Sequence, residues 1–152
     1  MASSHQIQPR LAAYFRDYGN FHRTHGNEIC HFFGIPMILL AIVGLLARVT
    51  LGPEFSPELR LDLGILSALG ALAWYLMLDW RVGAPFGLVL LGNYFLGRAI
   101  PAPWLWVLFV VGWIFQLVGH YKYEKKSPAF LKNIEHLLIG PLWVFSRLLR
   151  IT

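Results

Sequence analysis

Charged residues are scarce in this chain. Only 14% of its 152 residues are Asp, Glu, Lys or Arg, whereas 57% are hydrophobic. Because a soluble globular domain usually contains about 25% charged residues, this chain has too little polar surface for an ordinary water-soluble fold. The composition therefore indicates a single integral membrane domain, residues 1–152, whose apolar segments face lipid or each other.

Cysteine and an apolar leader are also lacking. Cys30 is the only cysteine, so an intramolecular disulfide is excluded and a thiolate metal site is a poor hypothesis. The first ten residues are polar, so we expect no cleaved signal peptide. Insertion into a membrane must then depend on the internal apolar segments.

Four internal segments are apolar enough to be predicted as transmembrane helices. They cover about residues 32–47, 61–78, 82–96 and 101–119. A bilayer core about 30 Å thick needs about 20 helical residues, so the two shorter segments must use flanking residues. A fifth apolar stretch, 137–149, is too short to span and is predicted to be an interfacial or re-entrant helix. The predicted fold is all-α, with four transmembrane helices and this C-terminal helix.

The Lys and Arg residues are divided unevenly between the two sides that four spans create. The side with both termini holds ten of them: Arg10, Arg16, Arg23, Arg81, Lys122, Lys125, Lys126, Lys132, Arg147 and Arg150. The other side holds three: Arg48, Arg60 and Arg98. This bias predicts that both termini are cytoplasmic. It also explains the net charge of +5 without nucleic acid as a partner. The membrane is then the cytoplasmic membrane of a bacterium or the endoplasmic reticulum of a eukaryote.

Five of the six histidines form two clusters at opposite ends of the apolar region. His22, His25 and His31 precede the first predicted span. His120 and His136 lie at and just after the end of the fourth. Four crossings would place all five on one face of the membrane, and only His5 falls outside this set. Because neutral imidazole binds iron, zinc and copper, we predict that the two clusters form one metal site.

Three polar residues accompany the histidines at helical spacing. Asn27 precedes His31 by four residues, and Gln116, His120 and Glu124 follow one another at intervals of four. Such residues share one face of a helix, so Glu124 and Asn27 are candidate catalytic residues beside the metal. Simpler interpretations remain open, because Glu124 can pair with a nearby lysine, Asn27 can be a helix cap, and Gln116 can bond a neighbouring helix. Any one of the histidines alone can equally be an interfacial residue.

These residues, taken in order, resemble the signatures of the Mpo1-like family over nearly the whole chain. The first signature is His22-x4-Asn27-x3-His31-x2-Gly34-Ile-Pro36. The second is Gln116-Leu-Val-Gly-His120-x3-Glu124-x3-Pro128-Ala129. The closing run His136-Leu-Leu-Ile-Gly-Pro141-Leu is similar to bacterial members.

The resemblance implies an Fe(II)-dependent dioxygenase. Such an enzyme converts a long-chain 2-hydroxy fatty acid and O2 to the fatty acid one carbon shorter and CO2. Carried over to this sequence, His22, His31 and His120 match the signature histidines and Glu124 matches the signature carboxylate. His25 and His136 are looser matches.

The substrate of such an enzyme carries a carboxylate, which calls for cationic partners. Arg23, Arg81 and Lys122 lie on the predicted cytoplasmic face and are candidates to hold it. Competing hypotheses are a di-iron hydroxylase, which needs about eight histidines, a haem protein with axial histidines inside the bilayer, and a non-enzymatic membrane protein. The sequence leaves open the oligomeric state and which histidines bind the metal directly.

Overall fold

The computed structural model describes residues 7–54, 60–131 and 133–151, so His5 lies outside the described part of the chain. As predicted, the fold is all-α. The helices are α1 (Pro9–Gly19), α2 (His25–Leu46), α3 (Leu63–Leu78), α4 (Trp80–Ala99), α5 (Ala102–Val118) and α6 (His136–Leu148). The strands β1 (Thr50–Glu54) and β2 (Arg60–Asp62) pair antiparallel between α2 and α3, with Thr50 opposite Asp62.

The helices α2 to α5 occupy the four segments predicted to span a membrane. Two stretches of the described chain, α2 and Ala102–Glu124, are long and apolar enough to cross one. The helix α3 is apolar but shorter, and α4 carries Arg81 and Arg98 near its ends. The two long apolar helices indicate an association with the membrane, whereas the four-span arrangement stays a prediction.

Two aspartates define where α3 and α4 begin. Asp62 accepts a hydrogen bond from the backbone N–H of Ile65 at 2.9 Å, and it is fully buried. Asp79 accepts one from the backbone N–H of Arg81 at 2.9 Å. Side-chain oxygens at these positions satisfy backbone donors that a helix start leaves unpaired. The Asp79 cap therefore lets α4 begin directly after α3, with Asp79 as the single residue between the two helices.

The helix α1 is an element that the sequence analysis does not predict. It begins at a proline, Pro9, and buries Leu11, Phe15 and Tyr18. These three residues follow the four-then-three spacing of one helical face. Because α1 packs against α6, it adds a wall to the bundle beside the predicted histidine site.

The helix α6 lies one residue ahead of its predicted range and is packed into the bundle. It contacts α1, α2 and α4. Ile139, Leu142, Trp143 and Val144 on its inner face are all buried in the main core. This face is therefore covered by protein, while Leu148 on the outer face is 65% exposed.

A close approach of α2 and α5 sets the position of the two histidine clusters. A Cβ atom at Gly34 would lie 2.4 Å from Nε2 of Gln116 and 2.8 Å from the backbone oxygen of Gly112. Only glycine fits at such a crossing, as in tightly packed membrane helices. Because His31 and His120 lie near this crossing, it brings the N-terminal part of α2 against the end of α5.

Candidate metal centre

Three histidines from different parts of the chain meet at the end of the bundle. His22 lies between α1 and α2, His31 on α2, and His120 in a π-helical turn, Gly119–Glu124, that extends α5. Each is at most 3% exposed. One ligand nitrogen from each lies within 4.8 Å of the other two. Members of the two histidine clusters, about ninety residues apart in sequence, therefore form one group in the structure. The group consists of His22, His31 and His120.

The backbone fixes the tautomers of His22 and His31. Nδ1 of His22 lies 2.6 Å from the carbonyl oxygen of Tyr18, and Nδ1 of His31 lies 2.9 Å from that of Asn27. Because a carbonyl oxygen can only accept, each Nδ1 carries the proton and donates it. Nε2 of each ring is then left with a free lone pair, the arrangement common in metal-binding histidines.

These two lone pairs face each other. Nε2 of His22 and Nε2 of His31 are 2.9 Å apart. Burial lowers the pKa of His22 to about 4, so this ring is neutral near pH 7 and brings no proton to the gap. Two nitrogens bound at right angles to one metal ion, each about 2.1 Å from it, would be about 3.0 Å apart. The spacing and protonation of this pair therefore fit a bound metal ion.

His120 is the third member of the group. Its ring centroid lies 4.9 Å from that of His22 and 4.9 Å from that of His31. Its Nδ1 is buried without a hydrogen-bond partner among the described residues. Burying an unpaired polar atom costs roughly 1–3 kcal/mol. The π-helical turn that carries His120 is a feature often found at functional sites.

His136 lies close to the three histidines and is held by a carboxylate. Its Nε2 is 2.9 Å from Oδ2 of Asp17, and its ring packs edge-on against Tyr18 at 5.7 Å. Because a carboxylate accepts, Nε2 carries a proton and donates it to Asp17. Nδ1 of His136 is a buried nitrogen without a hydrogen-bond partner among the described residues. His136 lines the same cavity as the three histidines, outside the set of three closest atoms.

His25 is a predicted ligand that lies apart from both the three histidines and His136. The sequence analysis placed it with His22 on a segment ahead of the first span. In the structure it is the first residue of α2 and is exposed. Six residues separate His25 from His31, and at 3.6 residues per turn they lie about 120° apart around the helix. His25 consequently points away from the face that carries His31.

Glu124 is occupied by hydrogen bonds to the segment that carries His22. Its Oε2 accepts from the backbone N–H groups of Arg23 and Thr24, at 3.1 and 3.0 Å, and from the Thr24 hydroxyl at 2.9 Å. The side-chain amide of Asn27 is a fourth donor, at 3.3 Å. This carboxylate therefore ties the start of α2 to the end of α5.

Asn27 lies inside α2 and is fully buried, so it is not the helix cap considered from the sequence. Its Nδ2 donates to the carbonyl oxygen of Phe21 at 3.0 Å as well as to Glu124. Its backbone oxygen orients His31. Asn27 and Glu124 thus surround the histidines and hold them in place.

The three cations predicted to hold a substrate carboxylate are exposed and do not line the cavity beside the histidines. The Arg23 guanidinium donates to Oδ1 of Asn20 at 2.9 Å. Arg81 lies over the ring of Trp80 at 5.8 Å, and Lys122 over that of Tyr123 at 5.5 Å. The structure therefore does not bring these cations to the metal group.

Two residues of this site, Asp17 and Tyr18, are missed by sequence reasoning. Tyr18 stacks on His22 with ring centroids 4.0 Å apart, and its carbonyl oxygen orients that histidine. Both lie on α1, whose apolar face was detectable from the spacing of Leu11, Phe15 and Tyr18. Asp17 has no comparable signal, because only the fold places it beside His136.

The apolar helical bundle indicates a membrane-associated protein, and its three buried histidines are a group that could hold a metal ion. Comparison with known families makes the assignment specific. The Mpo1-like family, described as "2-hydroxy-palmitic acid dioxygenase Mpo1-like", matches residues 9–151. This chain belongs to the Mpo1-like family, as the sequence resemblance indicates.

One curated relative supports this assignment. The chain is 28% identical over 137 residues to the protein named "2-hydroxy-palmitic acid dioxygenase MPO1" of Saccharomyces cerevisiae. The match covers 87% of this chain and 75% of the yeast protein. No solved structure matches the chain significantly.

Proposed function

We propose that this protein is an Fe(II)-dependent dioxygenase of long-chain 2-hydroxy fatty acids. The observation that carries the proposal is the pair of unprotonated Nε2 atoms, 2.9 Å apart, on His22 and His31. Family membership and the name of the yeast relative supply the substrate class. His22, His31 and His120 are the proposed ligands.

Three neutral nitrogen ligands suit this chemistry. A site with few protein ligands keeps open positions, which non-haem Fe(II) oxygenases use for substrate and O2. The proposed overall change is 2-hydroxy acid plus O2 to the acid one carbon shorter, CO2 and water. Its atoms and electrons balance with O2 as the only oxidant, so no separate reductant is needed. Bound iron would supply the activation of O2 and two positions for the hydroxyl and carboxylate of the substrate.

The remaining polar groups at the site accept a proton, bind the substrate carboxylate and position the histidines. In its neutral form His136 donates from Nε2 to Asp17, and its Nδ1, which is buried without a partner among the described residues, is positioned to accept the proton of the substrate hydroxyl. Nε2 of Gln116 is a buried donor without a partner among the described residues, and it donates to the substrate carboxylate. Glu124 and Asn27 act as positioning residues for His22 and His31. Arg23, Arg81 and Lys122 have no role in this arrangement.

The proposed setting is a four-span bundle with both termini in the cytoplasm. The exposed faces of α3, α4 and α5 support it, because they carry large apolar side chains such as Met77, Leu88 and Trp104, which are 63–74% exposed. Such surfaces are stable only against lipid or another apolar surface. The excess of Lys and Arg on the side of the termini supports a cytoplasmic location for that side. A reporter enzyme that is active only in the cytoplasm should be active when it is fused to the C-terminus. A reporter that is active only on the other side of the membrane should be inactive there.

The direct test is oxygen-dependent shortening of 2-hydroxypalmitate by the purified protein with added Fe(II). We expect pentadecanoic acid and CO2 in equal amounts from wild type. The His31→Ala and His120→Ala variants should lose at least 100-fold in rate, because each removes a proposed ligand. The His25→Ala variant is the matched control and should retain wild-type activity, since its imidazole is exposed.

Two results would overturn the proposal. One is the absence of chain shortening in folded, iron-loaded wild type. The other is equal activity in the His31→Ala, His120→Ala and His25→Ala variants. A Soret absorption band in the purified protein would instead favour a haem protein.

A further inference from the structure

A cavity of about 230 Å³ begins at the histidines and continues between α2, α3 and α6. Its polar end is formed by His22, His31, His120, His136 and Gln116. Beyond that end the lining is mostly apolar, with aliphatic side chains from α2, α3 and α6, aromatic ones such as Trp113 and Phe130, and one serine, Ser67. The histidine group therefore lies at the polar end of a largely apolar cavity.

The cavity is long in one direction. It is lined on α2 from His31 to Val43, a separation of twelve residues. At 1.5 Å per residue this is about 18 Å. One leaflet of a bilayer, half of a 30 Å hydrocarbon core, is about 15 Å thick. The cavity thus has the length of one long acyl chain.

Small side chains on α3 leave room for the cavity between α2 and α3. Ala68 and Ala71 line the cavity, three residues apart on one face of that helix, opposite Ile38 and Ile42 of α2. Ala68 is 6% exposed and lies in the main core. A larger residue at either position would project into the cavity and shorten or narrow it.

The wall of the cavity is open on one side. Ile42, Leu137 and Leu138 line it, yet each is 40–42% exposed. These residues belong to the apolar outer surface of the bundle. An apolar ligand can therefore enter from lipid without crossing water.

We propose that this cavity binds the alkyl chain of the 2-hydroxy acid, and that Ala68 and Ala71 set the length of chain it accepts. The inference rests on the proposed function for the identity of the head group. Gln116, only 7% exposed and with its Nε2 unpartnered among the described residues, places a donor at the polar end where that head group would lie. The occupant must have one polar end and one long, unbranched apolar end.

The test measures chain-length preference by binding and by turnover. Binding of 2-hydroxypalmitate and of 2-hydroxyoctanoate to metal-free protein is measured by displacement of a fluorescent fatty acid. The Ala71→Leu variant adds three carbon atoms to the wall, at about 0.8 kcal/mol for each displaced methylene. It should weaken binding of 2-hydroxypalmitate roughly 10- to 100-fold and leave that of 2-hydroxyoctanoate within about threefold.

Two further variants control for effects on folding. Ala73→Leu places the same side chain on the exposed face of α3 and should bind both acids as wild type does. Ala68→Gly enlarges the cavity, and we expect it to shift preference toward 2-hydroxystearate. This variant decides the question if Ala71→Leu fails to fold.

The outcomes separate the two proposals. Chain-length-dependent binding that Ala71→Leu changes, without any turnover, supports the cavity and refutes the dioxygenase. If wild type, Ala71→Leu and Ala68→Gly all turn over substrate with the same chain-length preference, the proposal that this cavity selects chain length is wrong. The proposed dioxygenase activity is then still supported. If Ala73→Leu weakens binding of 2-hydroxypalmitate as much as Ala71→Leu does, the proposal that the cavity selects chain length is also wrong.

Discussion

Replacing Glu124 distinguishes a residue that positions the metal group from one that binds the metal. The four donors on its Oε2 come from Arg23, Thr24 and Asn27, so its lone pairs are directed at the start of α2. The Glu124→Gln variant keeps an acceptor oxygen of the same shape and removes the charge. The Glu124→Ala variant removes the acceptor altogether.

The structure sets the size of the expected effects. Hydrogen bonds to a charged group contribute about 1.5–3 kcal/mol each, but four bonds to one oxygen are not additive, and water can reach the partly buried backbone donors. We therefore expect Glu124→Ala to lower the free energy of unfolding by about 2–4 kcal/mol, and Glu124→Gln by about 1 kcal/mol. For a chain of this size the alanine variant should lose roughly 5–15 °C in melting temperature.

The assay combines thermal unfolding in detergent with metal analysis of the same samples. Glu28→Gln is a matched control, because Glu28 forms a partly exposed ion pair with Arg147 at 2.7 Å. Such pairs contribute about 0–1 kcal/mol. Folded Glu124→Gln should retain the metal content of wild type. If it loses the metal as completely as His31→Ala does, then Glu124 is a ligand and the reasoning fails.

Two other predictions concern the helix crossing and the pH dependence. Gly34→Ala should lower the free energy of unfolding by about 1–3 kcal/mol and weaken metal binding, because its Cβ would lie 2.4 Å from Nε2 of Gln116. The control is Gly70→Ala, where a Cβ would have nothing within 4 Å. It should change neither stability nor metal binding. In metal-free protein, burial lowers the pKa of His22 from 6.5 to about 4, so unfolded protein binds a proton that folded protein does not. Stability should then fall between pH 6.5 and about 4, by up to about 3 kcal/mol, in denaturation at a series of pH values. A flat profile, or a Gly34→Ala variant with unchanged metal affinity, would contradict these expectations.

Local sequence patterns predicted the main helices and most of the residues that meet at the site. Runs of apolar residues located α2 to α5 because a helix long enough to bury its backbone in lipid must be apolar throughout. The histidines of both clusters were recognised for the same reason, since a polar side chain stands out in an apolar chain. His22, His31 and His120 meet in the structure, whereas the four crossings from which this was expected stay a prediction.

The details that depend on rotation around a helix were not predictable in this way. His25 was grouped with His31 because the two are close in sequence, but the start of α2 at residue 25 turns them to different faces. Glu124 was predicted to be a catalytic residue beside the metal or to pair with a nearby lysine, and only the fold brings the backbone donors of Arg23 and Thr24 to it. The pairing of Asp17 with His136 joins residues 119 positions apart, which no local pattern encodes.

The central claim is that His22, His31 and His120 bind one metal ion. The most direct measurement is the iron content of anaerobically purified protein, by mass spectrometry, in wild type and in the His31→Ala, His120→Ala and His25→Ala variants. We predict about one iron per chain in wild type and in His25→Ala, and loss of the metal from folded His31→Ala and His120→Ala. Equal iron content in all four samples would contradict the claim.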